Sequence, residues 1–234
     1  MVVIVQNDPI VPAGLIGTVL GERGVRWRLF RVFDGEGVPD TCHAAAVVVL
    51  GGTMSVCDTL EYPYLDHVRR VIRQTIEKSI PYLGICLGGQ LLAEVLDAKV
   101  HRGSRGERGC CRISLTPEGK TDPLFGSMPE NFLSFQWHND SFDVPRGGLV
   151  LARTETCPYQ AFRWNANAYG IQFHPEVDRS IVACWSGGGK ESPNSCEKDF
   201  SVLEAEYTST SRIFLENFFA LPANFHQPWA HNPL

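Results

Sequence analysis

Gly84-Ile85-Cys86-Leu87-Gly88-Gly89-Gln90 is the stretch of this chain whose residue types could do chemistry. An apolar run, Ile80 to Ile85, leads into a cysteine, two glycines follow, and then a helix-like run, Leu91 to Leu96. A strand that turns sharply into a helix with a nucleophile at the turn is a nucleophile elbow. Glycines suit the turn because Cβ atoms would clash there. The positive end of the following helix favours a thiolate at its first turn. A cysteine nucleophile needs a base, and His174 in Gly170-Ile171-Gln172-Phe173-His174-Pro175-Glu176 is the candidate. Residues i and i+2 of an extended segment point the same way, and Pro175 holds this link extended, so Glu176 can receive the Nδ1–H of His174. Nucleophile, base and orienter would then be Cys86, His174 and Glu176. A thiolate attacking an acyl carbon also needs donors for the developing oxyanion. The amide of Leu87, just past the nucleophile, and that of Gly52, in a Gly-Gly pair at a strand end, are the candidates.

Each of these features has a plainer meaning. His-Pro-Glu alone fits a solvated surface turn, and Gly51-Gly52 alone fits a tight turn. The elbow weighs both towards a site. Other features favour the plain meaning. Gly187-Gly188-Gly189-Lys190 fails as a phosphate loop, because Cys184 stands where the first glycine is required and Glu191 replaces Ser/Thr. His43, His67 and His101 read as surface residues, and Cys110 and Cys111 as packed strand residues. His138 could rival His174 as base, but its neighbours suggest a wall beside a substrate.

The elements that must position these residues alternate. Val2 to Gln6, Trp27 to Phe33, Ala44 to Leu50 and Ile80 to Ile85 read as strands; Ala13 to Arg23, Tyr64 to Ser79 and the run from the elbow to about Asp97 read as helices. Leu65, Val68, Val71, Ile72 and Ile76 form one helical stripe. Ala44 to Leu50 is a continuous apolar run of the kind buried on both faces of a parallel sheet. The second half changes to short strand-like segments: Cys111 to Thr116, Phe132 to Trp137, Leu149 to Arg153, Gln160 to Trp164 and Ala168 to Phe173. A closing helix is expected over about 200–219, with Phe214, Phe218 and Phe219 facing the core. The expected fold is α/β: a doubly wound, mostly parallel sheet in three layers, flanked by helices, with additional antiparallel strands. Residues 1–234 read as a single domain with a flexible loop at 186–195 and a loosely ordered tail at 222–234.

Hydrophobic residues make up 44% and charged residues 20% of the 234, enough for a full core. A net charge of −5 with no clustered Lys/Arg run argues against nucleic acid as a main partner. The apolar run Val2 to Val5 lacks a basic flank and is too short for a signal sequence, and no segment approaches a membrane span. With eight cysteines and no C-x-x-C pair, free thiols in the cytoplasm are the expectation.

Gly84-Ile85-Cys86-Leu87-Gly88-Gly89-Gln90 resembles the G-x-C-x-G-x-Q signature of class I glutamine amidotransferases, and Phe173-His174-Pro175-Glu176-Val177 resembles their second signature. Gln136-Trp137-His138-Asn139-Asp140, Glu107-Arg108-Gly109 and Gln160-Ala161-Phe162 are similar to relatives of the glutaminase domain of GMP synthase. The resemblance spans nearly the whole chain. It implies that Gln90, with the backbone around Gly51, Trp137 and His138, holds the ends of a γ-glutamyl substrate. It also implies hydrolysis of the γ-amide through a thioester on Cys86, without metal or organic cofactor. Three functions stay open. The first is a glutaminase whose ammonia serves a synthase partner on another chain. The second is a γ-glutamyl peptidase or hydrolase acting on another γ-glutamyl compound, and the third a catalytically silent binding module.

Overall fold

The computed structural model describes residues 1–38, 40–187 and 195–221. Most of the loop expected at 186–195, and all of the tail expected at 222–234, lie outside the described residues. The elements in chain order are β1 (Val2–Gln6), α1 (Leu15–Glu22), β2 (Trp27–Arg31), β3 (Ala46–Val49), α2 (Tyr64–Glu77), β4 (Tyr82–Ile85), α3 (Leu87–Val95) and β5 (Val100–His101). There follow β6 (Glu107–Leu115), α4 (Pro117–Thr121), β7 (Asn131–His138), β8 (Ser141–Phe142), β9 (Leu149–Arg153), β10 (Ala161–Trp164), β11 (Ala168–Ile171), α5 (Arg179–Trp185) and α6 (Ser195–Ala220).

Nine strands form one sheet in the order β2-β1-β3-β4-β11-β10-β9-β6-β7. The pairs from β2 through β11 are parallel, and those from β11 through β7 are antiparallel. The chain steps from β1 to β2 on one side and to β3 on the other, so the strand order reverses between β1 and β3. Ligand sites in open α/β sheets lie at the carboxyl ends beside such a reversal. Here Asn7 bridges the two ends by donating from Nδ2 to the Leu50 carbonyl at 2.7 Å. The registers Val5↔Val49, Val49↔Gly84 and Ile85↔Ile171 then bring Asn7, Gly51, Cys86 and Gln172 level, each just past its strand.

Two differences from the expected elements have local causes. β2 stops at Arg31 rather than Phe33 because Val32–Asp34 winds into a 3-10 turn that closes on Gly35 at φ 85°. β6 begins at Glu107, four residues before the expected start, because pairing with β7 carries its polar half. That pairing runs from Glu107↔His138 to Ser114↔Asn131, which no hydrophobic alternation announces.

Both faces of the sheet are covered. On one, α2 buries Leu65, Val68, Val71 and Ile72 against β3 and β4 residues such as Val47 and Tyr82. On the other, α6 brings Phe214 within 5.5 Å, ring to ring, of both Phe125 and Phe173. Phe173 also meets Phe132 edge-on at 5.5 Å. Burying an aromatic side chain contributes about 1.5–3 kcal/mol, so this cluster anchors the segment leaving β11 immediately before His174.

Candidate active site

Cys86 stands between β4 and α3 at φ 50° and ψ −108°. A side chain with Cβ rarely occupies positive φ, and such strain persists only where surroundings over-determine it. Here they do. The Cys86 amide donates to the Ile171 carbonyl at 2.8 Å, and its own carbonyl accepts from Gln90 N at 2.9 Å, which starts the helix. The glycines let α3 sit directly on the strands. A Cβ on Gly84 would lie 2.3 Å from the Gly88 oxygen, one on Gly88 2.1 Å from the Val49 oxygen, and one on Gly89 2.7 Å from the Ile171 oxygen. The sulfur therefore meets the first turn of α3, whose free amides carry partial positive charge.

His174 is tied on three sides. Its amide donates to the Phe135 carbonyl at 2.9 Å, in a bridge between the end of β11 and β7. Three strands separate β11 from β7 in the sheet, so the antiparallel half curls back over the site. The Tyr207 hydroxyl of α6 donates to the His174 carbonyl at 2.8 Å, and Trp185 of α5 meets the imidazole edge-on at 4.9 Å. Nδ1 lies 2.7 Å from Glu176 Oε1, and Glu176 is fully buried. A carboxylate accepts, so Nδ1 carries the hydrogen, and Nε2 has no other hydrogen-bond partner among the described residues. Burial alone would lower the His174 pKa; the Glu176 charge, with Cys86 acting the same way, outweighs it and raises the pKa well above the ordinary 6.5. Glu176 is held by its backbone too. Its carbonyl accepts from Leu15 N at 2.8 Å, and Gly14 passes so close that a Cβ there would lie 2.0 Å from that oxygen.

A cavity of about 490 Å³ opens over these groups, and Cys86, Gly52, Gln90, Trp137, His138 and His174 all line it. Gly51 lies against both Cys86 and His174: a Cβ there would stand 3.2 Å from His174 Cε1 and 3.5 Å from Cys86 Cβ. Gly52 abuts Leu87, with only 2.9 Å between a Cβ at Gly52 and Leu87 Cδ2. Neither the Leu87 nor the Gly52 amide donates to a described residue, which leaves both N–H groups for a ligand oxygen.

The Gln90 side-chain amide is occupied: Nε2 donates to the Asp140 carbonyl at 3.2 Å and to Gln172 Oε1 at 3.3 Å. His138 Nδ1 donates to the same Asp140 carbonyl at 2.9 Å, while Nε2 lies 3.5 Å from Glu107 Oε2. His138 is thus held through Nδ1, its Nε2 has no hydrogen-bond partner among the described residues, and the ring forms part of the cavity wall. Trp137 carries the Arg108 guanidinium 4.8 Å above its ring.

Sequence reading missed Gln172, Trp185 and Tyr207. Gln172 had a signal, since period-two alternation puts residues 172, 174 and 176 on one face. Trp185 and Tyr207 had none, because their contacts to His174 span 11 and 33 residues of chain.

A thiol on a strand-to-helix turn, beside a histidine–carboxylate pair and beneath an open cavity in an α/β fold, is an arrangement suited to acyl transfer through cysteine. The family can be given more closely. A family model described as glutamine amidotransferase class-I matches residues 15–181, so the chain belongs to the class I glutamine amidotransferases. It is 34% identical over 165 residues to the glutamine amidotransferase-like protein YfeJ of Salmonella typhimurium, covering 69% of each chain. It is 37% identical over 162 residues to one subunit of the glutamine-hydrolyzing GMP synthase of Pyrococcus abyssi, covering 64% of this chain and 81% of that one. A glutamine amidotransferase crystal structure from Thermotoga maritima superposes with a TM-score of 0.83 at 29% identity, covering 94% of this chain and 97% of the other. Among the described residues no helix is long and apolar enough to cross a membrane.

Proposed function

We propose that the protein hydrolyses a γ-glutamyl amide, with glutamine as the favoured substrate, and that Cys86, His174 and Glu176 form its catalytic triad. The observation that carries this reading is the 2.7 Å contact between His174 Nδ1 and buried Glu176 Oε1, which leaves Nε2 for the Cys86 proton. Cys86 gives its proton to His174 Nε2, and the resulting thiolate Sγ attacks the γ-carbonyl carbon. The carbonyl oxygen takes the negative charge and accepts from the Leu87 and Gly52 amides. The C–N bond then breaks, His174 returns the proton to the leaving amine, and a γ-glutamyl thioester remains. Water, deprotonated by His174, attacks the thioester and releases glutamate and the thiol. Gln90, Trp137 and His138 line the part of the cavity that would receive the α-amino and carboxylate ends. The relative described as one subunit of a glutamine-hydrolyzing GMP synthase favours a synthase partner that takes the ammonia.

A second reading, hydrolysis of a larger γ-glutamyl compound, is favoured by the same cavity, since Arg102 and Arg108 border it together with Cys86. The purified protein, incubated with glutamine and with a panel of γ-glutamyl peptides and amines, separates the two by glutamate release. Turnover of a panel member without turnover of glutamine would replace the first reading by the second. Turnover of none, with and without a co-purified synthase, would leave a silent binding module.

A further inference from the structure

One fixed acceptor sets the hydrogen-bond directions around Cys86. The Asp140 main-chain carbonyl can only accept, so the Gln90 atom 3.2 Å away is the amide nitrogen. That nitrogen is also 3.3 Å from a side-chain atom of Gln172, which must then be the Gln172 oxygen. The other end of the Gln172 amide is therefore Nε2, and it lies 3.5 Å from Cys86 Sγ. Gln172 is fully buried, its main-chain N–H donates to the Gln160 carbonyl at 2.8 Å, and the register Ile171↔Ile85 sets it level with Cys86. We propose that Gln172 is a positioning residue that aims one N–H at the Cys86 sulfur and stabilises its anionic form, with Gln90 and the Asp140 carbonyl locking the amide in that orientation.

The inference rests on the reading of Cys86 as nucleophile, and gives Gln90 a task beyond substrate contact. A neutral thiol gains little from such a donor. A thiolate gains a charge-assisted hydrogen bond, the stronger kind. The other charged or titratable groups lining the cavity with Cys86 are His174 backed by Glu176, Asp58 after β3, Arg102 after β5, Arg108 on β6, His138 at the end of β7, Asp140 just past it, and Cys184 on α5. All of them are common to the wild type and the variants below.

The test is alkylation of Cys86 by iodoacetamide across a pH series, read at the Cys86 peptide by mass spectrometry, in wild type, Gln172→Met and Gln172→Glu. Met keeps the shape without the donor. Glu keeps an acceptor for Gln90 but turns a carboxylate towards the sulfur. Loss of a hydrogen bond to a charged group should move the half-alkylation pH of Gln172→Met upward by roughly 1 to 2 units, and that of Gln172→Glu further. Glutamine turnover should lose about 10- to 100-fold in kcat/KM, carried by kcat. The Cys157 peptide in the same samples should not move. A folded Gln172→Met with the wild-type midpoint overturns the proposal. If neither variant folds, the wild-type protein decides: the Gln172 side-chain NH2 resonances should shift over the pH range in which Cys86 becomes reactive, and stationary resonances overturn it. Alkylation needs no substrate. A wild type that hydrolyses no glutamine would end the proposed function, while a shifted midpoint would still support the role of Gln172.

Discussion

Cys86 ends a parallel strand, whereas Cys110 and Cys111 lie inside antiparallel β6, and Cys157 lies between β9 and β10. The two regions treat a thiol in opposite ways. Cys157 Sγ donates to the Tyr159 carbonyl at 3.7 Å, and burial pushes its pKa up to about 11. Burial pushes Cys110 up to about 11 as well, and raises Cys111. Cys86 is buried like Cys157, and more than the half-buried Cys110 and Cys111, yet its sulfur accepts from an amide, stands at a helix N-terminus and has a histidine beside it. The two environments therefore differ in what meets the sulfur: an amide N–H, a helix N-terminus and a histidine at Cys86, and apolar burial with no such donor among the described residues at the other three thiols.

The largest break in that comparison should come from the thiols themselves. Cys86→Ala should cut glutamate release roughly 10,000-fold or more, while Cys110→Ser and Cys157→Ser leave it near wild type; equal losses in all three would end the distinction. Next comes the orienting carboxylate. Glu176→Gln should lower kcat roughly 100- to 10,000-fold, because the imidazole loses its fixed tautomer, and a steady-state assay with an unchanged kcat would refute the orienting role.

A smaller effect is expected from the backbone contact that seats the elbow. Gly88→Ala should destabilise the fold by about 1–3 kcal/mol through overlap with the Val49 carbonyl, seen as a lower urea midpoint at constant slope. The smallest effect is a pH dependence. The His174 pKa is raised in the folded state, so its contribution to stability is complete below the ordinary 6.5 and is lost as pH rises through the folded value. Wild type should thus lose more thermal stability than Glu176→Gln as pH climbs above 6.5. Parallel melting curves for the two proteins would contradict the sign.

The parallel half was easy to read because its signals are local. Val2 to Val5 and Ala46–Val49 are unbroken apolar runs, α2 carries its stripe at helical spacing, and the elbow announces itself within seven residues. The antiparallel half was read only in outline. The polar start of β6 is held by pairing with β7, and the curl of β7 back to His174 depends on a bridge 39 residues apart in sequence. Site residues divided in the same way. Cys86, His174 and Glu176 follow from types and short spacings, while Trp185 and Tyr207 support His174 from helices that carry no local mark of that task.

By itself the sequence determined the strand–helix alternation, the turn that carries Cys86, and the His174–Glu176 pair, since each depends on residues a few positions apart whose conformations are set by local sterics. Only the tertiary structure decided that Ile171 lies level with Ile85, that Gln90 spends its amide on Asp140 and Gln172, and that Gln172 turns a nitrogen towards the sulfur. Those outcomes depend on which strands become neighbours and on the direction of each hydrogen bond. Both are properties of packed surfaces, not of residue order along the chain.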